Sequence, residues 1–262
     1  MFWHDILPAR LFFSFGPFHV YYYGLIVATA ILVAVFYAQS RYSNKPKLKN
    51  EQLNELFFYL VLFAIIGARF YHVLFFNWAY YQHHFLEIFQ IWQGGLAIQG
   101  AILASIFTLI FWSKKYQLSF YRLSDWLAPA LILGQSIGRW GNYFNQELFG
   151  KPLEAWYAIP ISLENRVAGF ENFTYFHPTF FYESILNFCL FLVLYFLSKK
   201  KLPLGIITWT YLGGYSLIRF VLEFVRIDPT PLLFGFRLPQ VVSAVVFLLA
   251  SYMLYLKLKK EK

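Results

Sequence analysis

The chain has 262 residues, of which 59% are hydrophobic, 23% aromatic and only 13% charged. A soluble domain carries about 25% charged residues, so this composition excludes one and points to an integral membrane protein. The net charge of +9 does not imply a nucleic-acid partner, because the lysines fall in short clusters between apolar runs, as they do in cytoplasmic loops.

Met1–Arg10 lacks a basic stretch leading to a small-residue cleavage site, so no removable leader is expected. Apolar runs near the roughly 20 residues that a bilayer requires then predict seven spans. They are Phe18–Ala38, Leu56–Phe76, Leu96–Trp112, Leu123–Tyr143, Phe180–Leu197, Leu204–Phe224 and Leu238–Leu256. The expected fold is an all-α integral membrane protein, a bundle of seven transmembrane helices forming one domain over residues 1–262. A small extracytoplasmic cap, Phe144–Phe176, is expected between helices four and five.

Basic residues set the orientation. Arg41, Lys45, Lys47 and Lys49 follow the first span, Lys114 and Lys115 the third, and Lys199–Lys201 the fifth, while Lys257, Lys259, Lys260 and Lys262 end the chain. The intervening loops are poor in lysine, and Asn77–Gln93 has neither Lys nor Arg. The positive-inside bias therefore places the N-terminus outside and the C-terminus in the cytoplasm. The aromatic loop Asn77–Gln93 is expected to lie along the membrane surface, where such rings prefer the headgroup layer. Trp156, Pro160, Asn165, Gly169 and Asn172 make the cap irregular, and its length suits a lid or a partner-binding element. No internal repeat is visible, which counts against an inverted-repeat transporter. The one cysteine, Cys189, lies in an apolar run and reads as a buried, inert thiol.

Polarity returns in an apolar context at Gly138–Gly150, G-R-W-G-N-Y-F-N-Q-E-L-F-G, which follows the run Trp126–Ile137. An ionisable side chain at membrane depth costs several kcal/mol and survives where it faces a cavity, a partner or a substrate. A snorkelling arginine would explain Arg139 alone. It would not explain Asn142, Asn145, Gln146 and Glu147 behind it, so the segment reads as a site.

Five further clusters lie near the outer half of the bundle or just above it. Tyr21–Gly24 begin the first span, and Gly67, Ala68 and Arg69 sit within the second, where Arg69 is deep enough to need a partner. Trp92, Gly94, Gly95, Gln99 and Gly100 enter the third, and His177, Pro178, Tyr182 and Glu183 open the fifth. The glycines suit helix packing, and His177 suits a structural role better than a catalytic one. Finally, Arg219 and Glu223 share one helix face at the outer end of span six, followed by Arg226 and Asp228. Two arginines on one glutamate leave a positive charge over. With Arg139 they form a cationic pocket that matches a phospholipid phosphate. No Cys/His set has metal-ligand spacing and no glycine-rich phosphate loop is present. The residues alone leave open an anionic lipid or solute transporter using the same pocket, or a scaffold held by ion pairs. The one-sided placement of the cluster counts against alternating access.

The Gly138–Gly150 segment resembles the signature of the bacterial prolipoprotein diacylglyceryl transferases. It is joined, in the family's order, by Y-Y-G at Tyr22–Gly24, G-A-R at Gly67–Arg69 and W-Q-G-G-L-A-I-Q-G at Trp92–Gly100. H-P-T-F-F-Y-E at His177–Glu183 and R-F-V-L-E-F-V-R at Arg219–Arg226 complete the series. The resemblance spans nearly the whole chain. It implies transfer of the diacylglyceryl group of phosphatidylglycerol to the lipobox cysteine thiol of a preprolipoprotein, with release of glycerol phosphate, at the bacterial cell membrane. It implies no cofactor or metal, since the phospholipid carries its own leaving group. Arg139 and Arg219 take the positions of essential, lipid-holding arginines. Tyr23, Asn142, Glu147, Gly150 and Glu223 fall on functional motif positions, and Arg69, Arg226 and His177 are expected to help hold the lipid. One departure stands out: where many members have histidine in W-x-G-G-x-x-x-H-G, this chain has Gln99. An amide does not titrate, so the base lies elsewhere or that position only orients substrate.

Overall fold

The computed structural model of the chain describes residues 7–16, 18–42 and 49–259. Residues 1–6 of the leader comparison and Lys45, Lys47, Lys260 and Lys262 of the orientation argument lie outside the described residues. In chain order the strands and longer helices are β1 (Leu11–Phe15), β2 (Phe18–Tyr21), α1 (Tyr22–Tyr42), α2 (Asn50–Tyr71), α3 (Ile98–Lys115) and α4 (Phe120–Asn145), with only short helical turns between α2 and α3. There follow β3 (Ile159–Pro160), β4 (Tyr175–Phe176), α5 (Thr179–Leu197), α6 (Ile206–Leu222), β5 (Leu232–Leu233), β6 (Phe236–Arg237) and α7 (Leu238–Lys259). The protein is mostly helical. Among the described residues, four helical stretches are long and apolar enough to cross a membrane: Tyr22–Arg41, Asn50–Phe76, Thr179–Leu197 and Leu238–Lys259. α6 is apolar but shorter, and α4 carries Arg122, Asp125, Gln135 and Arg139 within its 26 residues.

The first expected span begins too early. Phe18–Tyr21 is a strand, paired antiparallel with Leu11–Phe15 so that Val20 faces Phe13 and Phe18 faces Phe15. Gly16 takes a left-handed φ of 56° at the turn, and the amide of Tyr22 closes the hairpin on the carbonyl of Arg10. The apolar run is continuous into α1, and hydropathy cannot separate a short strand from a helix.

The chain divides by its contacts into two units, residues 1–38 with 125–262, and residues 39–124. In the second unit α2 crosses α3 at two glycines. A Cβ on Gly67 would come within 2.6 Å of the Gly100 carbonyl oxygen and 2.5 Å of the Ala104 Cβ, and one on Gly100 would run into the Gly67 carbonyl. The backbones meet with no room for side chains, the packing that small residues permit between apolar helices.

In the first unit Ala128 and Ile132 of α4, Leu190, Phe191 and Leu194 of α5, and Ile207 and Tyr211 of α6 form the core. Gly214 makes room for Leu190, whose methyl carbon a Cβ there would meet at 2.7 Å. At one end of this core Asp125 accepts from the amides of Gly205 and Thr208 and from the Thr208 hydroxyl, capping the orphan donors of α6. The segment between α4 and α5 is irregular apart from the β3–β4 pair, a single 3-10 turn at Leu163–Asn165 and the isolated bridges of Gly150 with Arg226 and Pro152 with Phe176. It has its own core of Phe149, Ile159, Ile161 and Phe176, closed by Phe180 of α5.

Gly67→Ala overpacks the α2–α3 crossing and should cost about 1–3 kcal/mol of stability, measured as a lower thermal midpoint of the purified protein in detergent.

Candidate active site

Glu183 sits in the second turn of α5 with its side chain 2% exposed. An isolated carboxylate there would be prohibitively costly to bury, so its partners are obligatory. It has two. Oε1 lies 2.8 Å from Nη2 of Arg139 on α4, and Oε2 lies 3.1 Å from Nη1 of Arg219 on α6. Two guanidiniums from helices far apart in the chain are thus held side by side on one carboxylate. The Tyr215 hydroxyl accepts from Arg139 at 3.1 Å and donates to Glu183 Oε1 at 3.3 Å, closing the arrangement from α6.

The network continues outward. Arg219 Nη2 lies 2.9 Å from Glu223 Oε2, one helical turn on, and Arg226 Nε is 3.8 Å from the same oxygen and 2.7 Å from Asp228 Oδ1. Arg237, from β6, occupies the other oxygen of Glu223 at 2.9 Å. With all groups ionised, the guanidiniums of Arg139, Arg219, Arg226 and Arg237 face the carboxylates of Glu183, Glu223 and Asp228, leaving one positive charge over. Arg139 and Arg219 remain 22% and 15% exposed, so part of each side chain keeps an open edge.

The polar motif after Arg139 forms a relay. Arg139 Nη1 reaches Asn142 Oδ1 at 3.4 Å, and Asn142 Nδ2 donates to Glu147 Oε1 at 2.7 Å, with Asn145 Nδ2 at 3.3 Å on the same oxygen. The backbone turns sharply to allow this: Gln146 and Leu148 hold left-handed φ values of 52° and 57°. Such residues cost about 1–3 kcal/mol each and need holding. Gln146 donates to the Pro8 carbonyl and accepts from the Ser162 amide, while the Thr179 hydroxyl donates to the Leu148 carbonyl. A cavity of about 520 Å3 opens beside the turn, lined by Arg10, Tyr21, Asn145, Glu147, Asn165 and Asp228 among others.

The other expected site residues fall into place differently. Tyr23 lies against Gly141, where a Cβ would meet the ring at 2.8 Å. Gly150 marks a crossing of chains: it bridges Arg226, its amide donates to the His177 carbonyl at 3.0 Å, and a Cβ would strike Val225 and His177. His177 pairs through Nδ1 with the Tyr182 hydroxyl at 3.1 Å. Burial pushes its pKa below the usual histidine value, and Lys151 pushes the same way.

Arg69 and Gln99 belong to the unit 39–124. Arg69 was expected to hold a headgroup, but its donors are already spent on backbone carbonyls: Nε on Ile88 at 2.8 Å, Nη1 on Gly94 at 2.7 Å, and Nη2 on Glu87 at 2.6 Å. It also lies over the Tyr81 ring at 5.0 Å. These bonds tie the loop after α2 to the start of α3, a structural role for Arg69. Gln99 is exposed in the first turn of α3. Sequence reasoning placed Glu183 only in the His177 motif and missed Arg237 and Tyr215. The available signal was a carboxylate inside an apolar span and a lone arginine abutting the last one.

Fold and site together define an apolar helical protein with a buried arginine–carboxylate cluster. The family model of prolipoprotein diacylglyceryl transferases matches residues 10–256. Relatives named phosphatidylglycerol–prolipoprotein diacylglyceryl transferase include those of Synechocystis sp., 40% identical over 93% of this chain and 87% of the relative, and of Trichormus variabilis, 42% identical over 90% and 85%. The protein of Fervidobacterium nodosum bearing the same name is 39% identical over 97% of this chain and 89% of its own. The chain belongs to the prolipoprotein diacylglyceryl transferase family.

Glu183→Ala leaves two partly buried guanidiniums sharing no counter-ion and should cost about 3–5 kcal/mol of stability, measurable by denaturant unfolding in detergent. For His177, whose folded-state pKa is depressed, the stabilisation is full above the unfolded value near 6.5 and is lost as pH falls through the depressed value. Thermal midpoints followed downward from about pH 7.5 should therefore drop further in the wild type than in His177→Gln.

Proposed function

We propose that the chain transfers the diacylglyceryl group of phosphatidylglycerol to the lipobox cysteine thiol of a preprolipoprotein, the first step of bacterial lipoprotein maturation. The observation that carries this reading is the seating of Arg139 and Arg219 on the two oxygens of Glu183. One unspent positive charge beside their open edges suits a phosphodiester monoanion, and guanidinium forks bind phosphate bidentately. The thiolate sulfur attacks the glyceryl carbon bonded to the phosphate oxygen. The new carbon–sulfur bond replaces the carbon–oxygen bond, and glycerol phosphate leaves with the bonding pair. Negative charge grows on that phosphate, where preorganised cations in a low-dielectric site are most effective.

The thiol proton needs an acceptor. Glu223 is fully buried among three arginines, and a tyrosine hydroxyl keeps its own proton at neutral pH. Glu147 suits the task better. It lines the open cavity and is tied to Arg139 by one asparagine, so sulfur and phosphate can be served together. Asn142 and Gly150 act by holding this geometry, and Tyr23 by covering Gly141. Arg226 and His177 support the pocket from behind.

In this reading α1 to α7 are membrane spans with the N-terminus outside and the C-terminus cytoplasmic. Segment 144–176 is an extracytoplasmic cap that holds the lipobox over the pocket, while the signal segment enters laterally from the bilayer. Incubation of the purified protein with phosphatidylglycerol vesicles and a lipobox peptide should add one diacylglyceryl unit to the cysteine by mass spectrometry. Arg139→Ala or Arg219→Ala should slow this by at least about 10²–10³-fold. Lipid movement between leaflets with no adduct on the peptide would favour a transporter and overturn the proposal.

A further inference from the structure

The two oxygens of Glu223 are claimed from opposite sides. Oε2 holds Arg219 at 2.9 Å, and Oε1 holds Nε of Arg237 at 2.9 Å. Arg237 is itself fixed. Its Nη1 donates to the Arg226 carbonyl at 2.9 Å and its Nη2 to the Asp228 carbonyl at 2.8 Å, so all three nitrogens are committed. Its backbone amide donates to the buried side chain of Gln240 in the first turn of α7. The residue stands at the base of the β5–β6 hairpin, whose tip turns through left-handed Phe234 and Gly235. Leu232, Phe234 and Phe236 of this hairpin are exposed.

A carboxylate with one oxygen unpaired in so dry a place would turn toward the nearest remaining cation. For Glu223 that is Arg226, whose Nε stands 3.8 Å from Oε2. Such a turn draws Oε2 off Arg219, and Arg219 then has only Glu183 to aim it. We propose that Arg237 is a positioning residue of the transfer reaction: by occupying Oε1 of Glu223 it keeps Oε2 on Arg219, and so keeps the Arg219 guanidinium turned toward the lipid phosphate. The inference rests on the transferase reading above. Arg237 lies outside the motifs that carry the family resemblance and does not touch the pocket's open edge. Its action passes through Glu223.

That indirectness makes a sharp test. Purified full-length Arg237→Ala, Arg237→Lys, Arg237→Gln, Glu223→Gln and the double variant Glu223→Gln/Arg237→Ala are assayed for peptide lipidation over a phosphatidylglycerol concentration series. Thermal midpoints are measured alongside. Arg237→Ala should lower kcat about tenfold to hundredfold, the range found for groups that orient active-site ligands, with KM for the lipid changing far less. Arg237→Lys, which keeps a charge for Glu223, should recover much of the loss, and Arg237→Gln, which keeps only hydrogen bonding, little. In the Glu223→Gln background the further change Arg237→Ala should cost almost nothing in kcat, because interacting residues are not additive. If Arg237→Ala fails to fold, the lysine and glutamine variants carry the comparison. Equal losses of kcat in both backgrounds, or a lower thermal midpoint with kcat unchanged, would overturn the role of Arg237 alone. Absence of transfer by the wild type would overturn it together with the transferase reading.

Discussion

One carboxylate organises this protein. Glu183 is buried inside an apolar helix, where Arg139 and Arg219 arrive from two other helices to pair with it. The constraint runs both ways. The guanidiniums would repel each other without the carboxylate between them, and the carboxylate could not be buried without them. α4, α5 and α6 are therefore registered against one another at this height by charge, as they are lower down by the apolar contacts around Ile132, Leu190 and Tyr211. Buried ion pairs of this kind add little net stability over an apolar core, so their presence argues for function.

Around that centre the chain spends strain to bring polar groups near. The backbone after α4 coils back through left-handed Gln146 and Leu148, and this sets Glu147 against Asn142 and within a relay of Arg139. Gly150 then slips between the start of α5 and the end of α6, where no side chain would fit. The segment that follows is tied down by the amide of Lys151 on Val225 and that of His177 on Lys151. The signature is a piece of backbone engineering as much as a set of reactive groups.

Much of this was legible in the sequence. Long apolar runs located α5 within one residue at each end and α7 at its start, with α7 continuing three residues past the expected Leu256, because hydropathy and length suffice there. The convergence of Arg139 with Arg219 followed from asking what an arginine at membrane depth must face. The strand at Phe18–Tyr21 was not legible, since an aromatic run has the same hydropathy in either conformation. The partners of Arg69 were not legible either, because a sequence displays charged side chains and not the backbone carbonyls of Glu87, Ile88 and Gly94 that this one meets. Arg237 was hidden for a related reason: its partner lies 14 residues earlier, across a hairpin whose register no pattern announces.

In the proposed transfer two guanidiniums grip the phosphate of the same lipid while sulfur displaces it. Solid-state NMR of the purified protein in phosphatidylglycerol bilayers, with arginine side chains labelled with nitrogen isotope, measures this through dipolar coupling between lipid phosphorus and guanidinium nitrogen. The account predicts strong coupling to both Arg139 and Arg219, each lost in its own alanine variant. Coupling confined to surface arginines, with both of these silent, would contradict it.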